Sequence, residues 1–138
     1  MRKKEHLSQS ENETFKIARK MGGALSGNEI ICLSGELGAG KTVFVKGVAA
    51  GMGLDDVNQV CSPSFTLMNV YQAPVPIYHL DFYRLNSHEE IEDIGWEDFI
   101  GEGVILIEWA EKYPVQNKHI RIVITVCEDE SRRITFYF

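Results

Sequence analysis

Residues Gly35-Glu36-Leu37-Gly38-Ala39-Gly40-Lys41-Thr42 spell G-x-x-x-x-G-K-[ST] in full, and no other stretch restricts the fold of this chain so tightly. A loop that wraps a phosphate must aim successive backbone N–H groups inward, and glycine adopts the φ values this needs at least cost. Before the loop, Ile30-Ile31-Cys32-Leu33 is a short apolar run flanked by turn residues, which predicts a strand buried in a parallel sheet. After it, Phe44, Val45, Val48, Ala49 and Met52 share one face of a helix over 42–52, with Gly51 and Gly53 as its stop. Four fixed positions match by chance with a frequency of order 1% in a chain this long. The flanking strand and helix make a phosphate cradle the better reading. The positive end of the helix would face the anion. Lys41 would reach the β- and γ-phosphates, and the Thr42 hydroxyl would ligate Mg²⁺.

The remaining pattern extends this unit into a three-layer α/β fold of the P-loop NTPase type, with a mainly parallel central sheet and an antiparallel C-terminal hairpin. Phe15, Ala18, Met21 and Leu25 recur at helical spacing from Glu11 onward. Strands are predicted over 66–71, 77–82 and 104–107. Ser87 with Glu90 three residues on is a capping box for a helix over 88–94, and 96–100 adds a helical turn. Ile120, Ile122, Ile124 and Val126 alternate with polar residues, as do Ile134, Phe136 and Phe138, which predicts a hairpin at one edge of the sheet. No repeat or linker interrupts the 138 residues, so 1–138 reads as a single domain whose polar first ten residues are expected to be flexible.

Composition narrows the function. Fourteen Lys and Arg against twenty Asp and Glu give a net charge of −6, which disfavours direct tight binding to a nucleic-acid backbone. No apolar run approaches the ~18 residues of a membrane span, and no apolar signal core follows the basic start. Cys32, Cys61 and Cys127 are odd in number and widely spaced, as expected of reduced thiols. A cytoplasmic protein is expected.

Two acids end apolar strands, Asp81 and Glu108. A P-loop NTPase needs a carboxylate near Thr42 for the Mg²⁺ shell and another polar group to position the attacking water. Glu108 follows the cleaner hydrophobic run and is the metal-side candidate; Asp81 falls to water positioning or a switch role. Ser62-Pro63-Ser64-Phe65-Thr66 lies where a γ-phosphate-sensing loop would sit. His79, Arg84 and Trp109 have no role that spacing alone assigns. Asn117-Lys118-His119-Ile120 imitates a guanine-reading motif but has Ile in place of the purine-reading acid, so guanine specificity is unsupported. No arginine cluster resembling a kinase lid follows the P-loop helix. A small kinase and a nucleotide-dependent binding module without useful hydrolysis remain the alternatives to an ATPase.

Gly35–Thr42, Ser62–Thr66, His79-Leu80-Asp81-Phe82-Tyr83-Arg84-Leu85 and Ile107-Glu108-Trp109 occur in the order and spacing of the TsaE (YjeE) ATPases, which the chain resembles from about Ser10 to Phe138. The resemblance implies a weak ATPase, stimulated by partners, in threonylcarbamoyladenosine (t⁶A) modification of tRNA at position 37. It implies ATP or ADP and Mg²⁺ as cofactors and the TsaD–TsaB heterodimer as partner, with tRNA met only through that complex. Carried over by motif, Gly38, Ala39, Gly40, Lys41, Thr42 and Val43 bind phosphates, Thr42 and Glu108 hold Mg²⁺, and Lys41 and Asp81 are the catalytic pair. Arg132 matches an arginine near the adenine, and Glu11 a residue at the nucleotide's other edge. Ser64 stands where the family more often has Thr.

Overall fold

In the computed structural model, which describes residues 2–36, 38–63 and 68–138, the two-residue period of the central strands sorts side chains onto two faces. Strand β2 (Ile30–Gly35) sends Ile31 and Leu33 to one core and Ile30 and Cys32 to another. Strand β5 (Val104–Glu108) splits in the same way, with Val104 and Leu106 on the first face and Ile105 and Ile107 on the second. The first core is covered by α1 (Glu11–Ala24) and α2 (Lys41–Gly51). The second is covered by α3 (His88–Ile94) and the short helical turn Trp96–Phe99. These are the three expected layers.

One seven-stranded sheet holds them, in the order β1-β7-β6-β2-β5-β4-β3. The new members are β1 (Lys3–Ser8), β3 (Met68–Tyr71), β4 (Ile77–Asp81), β6 (Ile120–Val126) and β7 (Arg132–Tyr137). Its centre is parallel, with β2 between β5 and β6, and β4 beside β5. Both margins are antiparallel: β3 on β4, and β1 and β6 on either side of β7. The sheet is therefore mixed around a parallel core. Of the strand expected over 66–71, the described part is Met68–Tyr71.

Two expectations about the termini are corrected. Lys3–Ser8 does not fray but pairs with β7, from Lys3↔Tyr137 to Ser8↔Arg132, and the Phe138 N–H donates to Arg2 O at 2.9 Å. Its polar sequence is that of a margin strand, where charged side chains on exposed faces discourage further pairing. Consequently the C-terminal hairpin is not at the edge, because β1 covers the free side of β7.

Caps set the helices. Ser10 Oγ accepts from Glu13 N at 3.1 Å while Glu13 Oε2 accepts from Gln9 N at 2.6 Å. The expected box at α3 is present too, with Ser87 Oγ accepting from Glu90 N at 3.3 Å. Glycines then let α1 and α2 touch backbone to backbone. A Cβ on Gly47 would meet Phe15 O at 2.6 Å, and one on Gly51 would meet Arg19 O at 2.1 Å and Gly23 N at 2.7 Å. Later residues of one helix face later residues of the other, so the helices run parallel and Glu11 lies toward the P-loop end of α2. Alanine at Gly51 would favour the helix by up to ~1 kcal/mol through propensity, but it must prise the backbones apart. We expect Gly51→Ala to lower stability by about 2 kcal/mol in urea unfolding; equal or greater stability would contradict the close approach.

Candidate functional site

Parallel strands place their C-terminal ends along one edge, and that edge gathers the predicted site. The P-loop leaves β2 there, and the registers Leu33↔Glu108 and Asp81↔Glu108 bring both strand-end acids beside it. Gly38 and Gly40 have φ of +80° and +106°, and a Cβ at either would meet nothing within 4 Å. Their glycines are thus required by backbone conformation, not by crowding. Gly40 is the N-cap of α2 and contributes no side-chain hydrogen bond, so the first N–H groups of the helix, at Lys41, Thr42 and Val43, keep their anion-binding potential. Leu37 lies outside the described residues.

Lys41 is only 7% exposed. Its ammonium donates to the loop carbonyls of Gly35 and Glu36, the latter at 3.1 Å, and sits 4.3 Å from the centroid of the Trp109 ring. Burial pulls its pKa below the ordinary lysine value, while Glu108, Glu111 and Asp81 oppose that shift. A phosphate in the loop would have to draw this ammonium off its carbonyls. Trp109 itself has φ of 59°, a left-handed conformation uncommon for such a bulky residue, and its N–H donates to Leu33 O at 3.2 Å.

The two expected Mg²⁺ groups meet at Ser62. Ser62 Oγ donates to Glu108 Oε2 at 2.9 Å and stands 3.5 Å from Thr42 Oγ1. Glu108 is 2% exposed and its Oε2 also takes a 2.6 Å hydrogen bond from His79 Nε2. His79 is fully buried, and its Nδ1 lies 2.8 Å from the Tyr71 hydroxyl. Tyr71 in turn accepts from Cys61 N at 3.2 Å and reaches Cys61 O at 3.0 Å, where Asn69 Nδ2 also donates at 3.0 Å. A continuous polar chain therefore runs from β3 through His79 and Glu108 to the segment that begins the expected sensing loop. Ser64, Phe65 and Thr66 of that loop lie outside the described residues. A hydroxyl and a carboxylate are hard oxygen donors and fit Mg²⁺, which takes one or two protein oxygens and completes its shell with phosphate and water. No group of three or more His, Cys, Asp or Glu that could hold a metal ion occurs among the described residues.

Asp81 ends β4 with Oδ1 accepting from Tyr83 N at 2.9 Å. Burial pushes its pKa above the usual aspartate value and the Glu108 charge adds to this, against the Tyr83 N–H, His79 and Lys41. The folded carboxyl thus holds its proton more tightly than the unfolded one. That contribution to stability is full below the unfolded pKa and is lost as pH rises through the folded pKa. Asparagine keeps the Oδ1 acceptor and drops the charge. Asp81→Asn is expected to melt above the parent at neutral pH, with the gap closing below the ordinary aspartate range; a lower melting temperature at neutral pH would contradict this. Beyond Asp81, the Tyr83 ring packs 4.9 Å from Trp109, and Lys112 Nζ donates to Tyr83 O at 2.6 Å and Leu85 O at 3.1 Å.

Arg132 arrives from the opposite side of the loop. Arg132 Nε donates to Ala39 O at 3.0 Å and a terminal nitrogen lies 3.4 Å from Gly38 O, so its guanidinium braces the P-loop itself. The Ser8↔Arg132 pairing carries the chain to the exposed Glu11 in the first turn of α1. The guanine-motif imitation at 117–119 precedes β6, which starts opposite Ile31, and therefore lies toward the other end of the sheet. Cys32 is buried with its thiol pushed up to about 12 by desolvation, Cys61 is exposed, and all three cysteines are free.

Sequence reading left His79 and Tyr71 unassigned and missed Ser62 as a bridge. Strand parity carries the signal: His79 and Asp81 share a face of β4 with Ile77, and Glu108 shares the matching face of β5 with Leu106. A histidine on that face, two residues before an acid at the P-loop edge, is directed toward the neighbouring strand's acid.

Comparison with known proteins finds relatives along nearly the whole chain. A family model described as threonylcarbamoyl adenosine biosynthesis protein TsaE matches residues 8–134. A protein of that name from Aquifex aeolicus is 36% identical over 137 residues, covering 97% of this chain and 96% of its own. The Treponema pallidum protein of that name is 38% identical over 94% of this chain and 96% of its own. The Bacillus subtilis one is 40% identical over 90% and 78%. The crystal structure of Bacillus subtilis YdiB superposes with a TM-score of 0.75 at 31% identity, over 98% of this chain and 84% of that one.

Proposed function

Because the chain belongs to the TsaE family of threonylcarbamoyl adenosine biosynthesis proteins, we propose that it is an Mg²⁺-dependent ATPase serving tRNA t⁶A modification in the cytoplasm. The observation that carries this reading is the convergence of Thr42, Ser62 and Glu108 beside a P-loop whose helix N-terminus has no side-chain cap. Glycine-borne N–H groups and the start of α2 bind the phosphates, and Lys41 moves from the loop carbonyls onto them. Thr42 and Glu108 hold Mg²⁺, which would neutralise charge on the β- and γ-phosphates. Asp81, at the same edge, orients the attacking water, and Arg132 keeps the loop in shape from β7.

The polar chain from Tyr71 to Glu108 ties Cys61 and Ser62 to the metal acid, while Lys112 and Trp109 hold the turn after Asp81. Both segments flank the γ-phosphate position and would register its presence. In this reading the listener is the TsaD–TsaB heterodimer, and hydrolysis resets the complex for another turnover. The net charge of −6 suits a protein that meets tRNA only through its partners. Equilibrium titration with a fluorescent ATP analogue tests the nucleotide site. Binding should require both Lys41 and Mg²⁺, and equal affinity in Lys41→Ala would overturn the assignment.

Among the described residues no helix is long and apolar enough to cross a membrane.

A further inference from the structure

The end of the sheet away from the P-loop carries a concavity of about 650 Å³ between α1 and the β1–β7 margin. Glu29 and Ile120, which precede or begin β2 and β6, line it, so it is separated from the nucleotide edge by the length of β2, roughly 20 Å. Its floor is apolar: Ile17 and Met21 from α1 and Leu25 just after it, with Phe136 and Phe138 stacked 6.1 Å apart. Phe138 is 47% exposed.

The rim is basic. Lys4 and His6 reach it from β1, and Lys16 and Lys20 from α1. Among the described residues no carboxylate pairs with these lysines, since the β1 ion pair joins Lys3 and Glu5, which have the opposite strand parity. The one acid in the lining, Glu29, is engaged by the backbone N–H groups of Ser26, Gly27 and Asn28 at 2.6 to 3.0 Å. Burial and then the charges of Lys4 and Lys20 hold His6 below its ordinary pKa. A cluster of unpaired cations over an apolar floor, on a chain of net charge −6, is a local reversal of sign.

We infer that this groove is a docking site for an acidic amphipathic segment of a partner protein. Apolar side chains of the segment would lie on the Met21–Phe138 floor, and its carboxylates would face Lys4, Lys16 and Lys20. A polyanionic nucleic acid suits it less, because the floor offers no phosphate contacts and the chain as a whole repels a phosphate backbone. The inference is independent of the chemistry at the nucleotide edge.

The test uses fluorescence anisotropy on the full chain with two short synthetic helices. One carries Glu on one face and Leu and Phe on the other; the second replaces Glu by Lys. Only the acidic helix should bind, and the K16E/K20E variant should weaken it by roughly tenfold or more, as should added salt. Fluorescent nucleotide affinity should be unchanged in the variant, which checks that it is folded. Equal binding of the two helices, or no change in the variant, would overturn the proposal. So would binding of a single-stranded RNA oligonucleotide that depends on Lys16 and Lys20 in the absence of acidic-helix binding.

Discussion

Glu108→Gln should cut ATP hydrolysis on the order of 10²–10³-fold while leaving the fold intact. Glutamine preserves volume and an oxygen acceptor at a position only 2% exposed, so the His79 and Ser62 hydrogen bonds can persist. It removes the carboxylate that is hydrogen-bonded to Ser62 and, through it, stands beside Thr42. The His79 and Ser62 bonds both converge on Oε2. The loss should appear in turnover and in the Mg²⁺ requirement far more than in thermal melting. Wild-type turnover in Glu108→Gln would remove Glu108 from the metal site.

His79→Ala should be the more damaging substitution for stability, by about 3 kcal/mol, because it strands a buried carboxylate that has lost its ring partner. It also empties the space of a fully buried side chain and breaks the link to Tyr71. Mg²⁺ affinity should fall roughly 10- to 100-fold, the usual cost of losing a group that orients a metal ligand. Tyr71→Phe is the graded control. It removes one hydroxyl from the chain and should cost about 1 kcal/mol, with a smaller loss of Mg²⁺ affinity. Chemical unfolding and the Mg²⁺ dependence of hydrolysis read the two effects separately. If His79→Ala matched the parent in both, the polar chain would be passive packing.

Much of the fold could be read from local pattern. Ile30–Leu33 and Val104–Ile107 announce buried parallel strands because both faces of each are covered, and the alternation in 120–126 and 134–138 announces a hairpin with one apolar face on the core. Lys3–Ser8 escaped because a mostly exposed margin strand of polar residues has no apolar period, and its pairing is a backbone matter that depends on β7 offering a free edge. The P-loop was legible because its glycines answer to backbone conformation at Gly38 and Gly40 and to close packing at Gly35. Thr42 and Glu108 were candidates by residue type alone, one in the first turn after the loop and the other at a strand end.

The bridge through Ser62 was not legible. It joins residues 46 positions apart across a loop with no periodicity, and only tertiary packing brings them together. Arg132 shows the same limit. Its position near the loop could be expected by resemblance, but its hydrogen bonds to the Ala39 and Gly38 carbonyls depend on β7 lying two strands from β2. His79 was half legible: parity selects its face, while its two partners require the β3–β4–β5 register.

The most direct measurement is steady-state ATP hydrolysis by the purified chain, alone and with TsaD–TsaB, beside Glu108→Ala. A nucleotide switch read by partners predicts slow turnover alone, strong stimulation by the heterodimer, and loss of that stimulation in the variant. Tight Mg²⁺–ATP binding with turnover that stays low and unchanged when the heterodimer is added would contradict it.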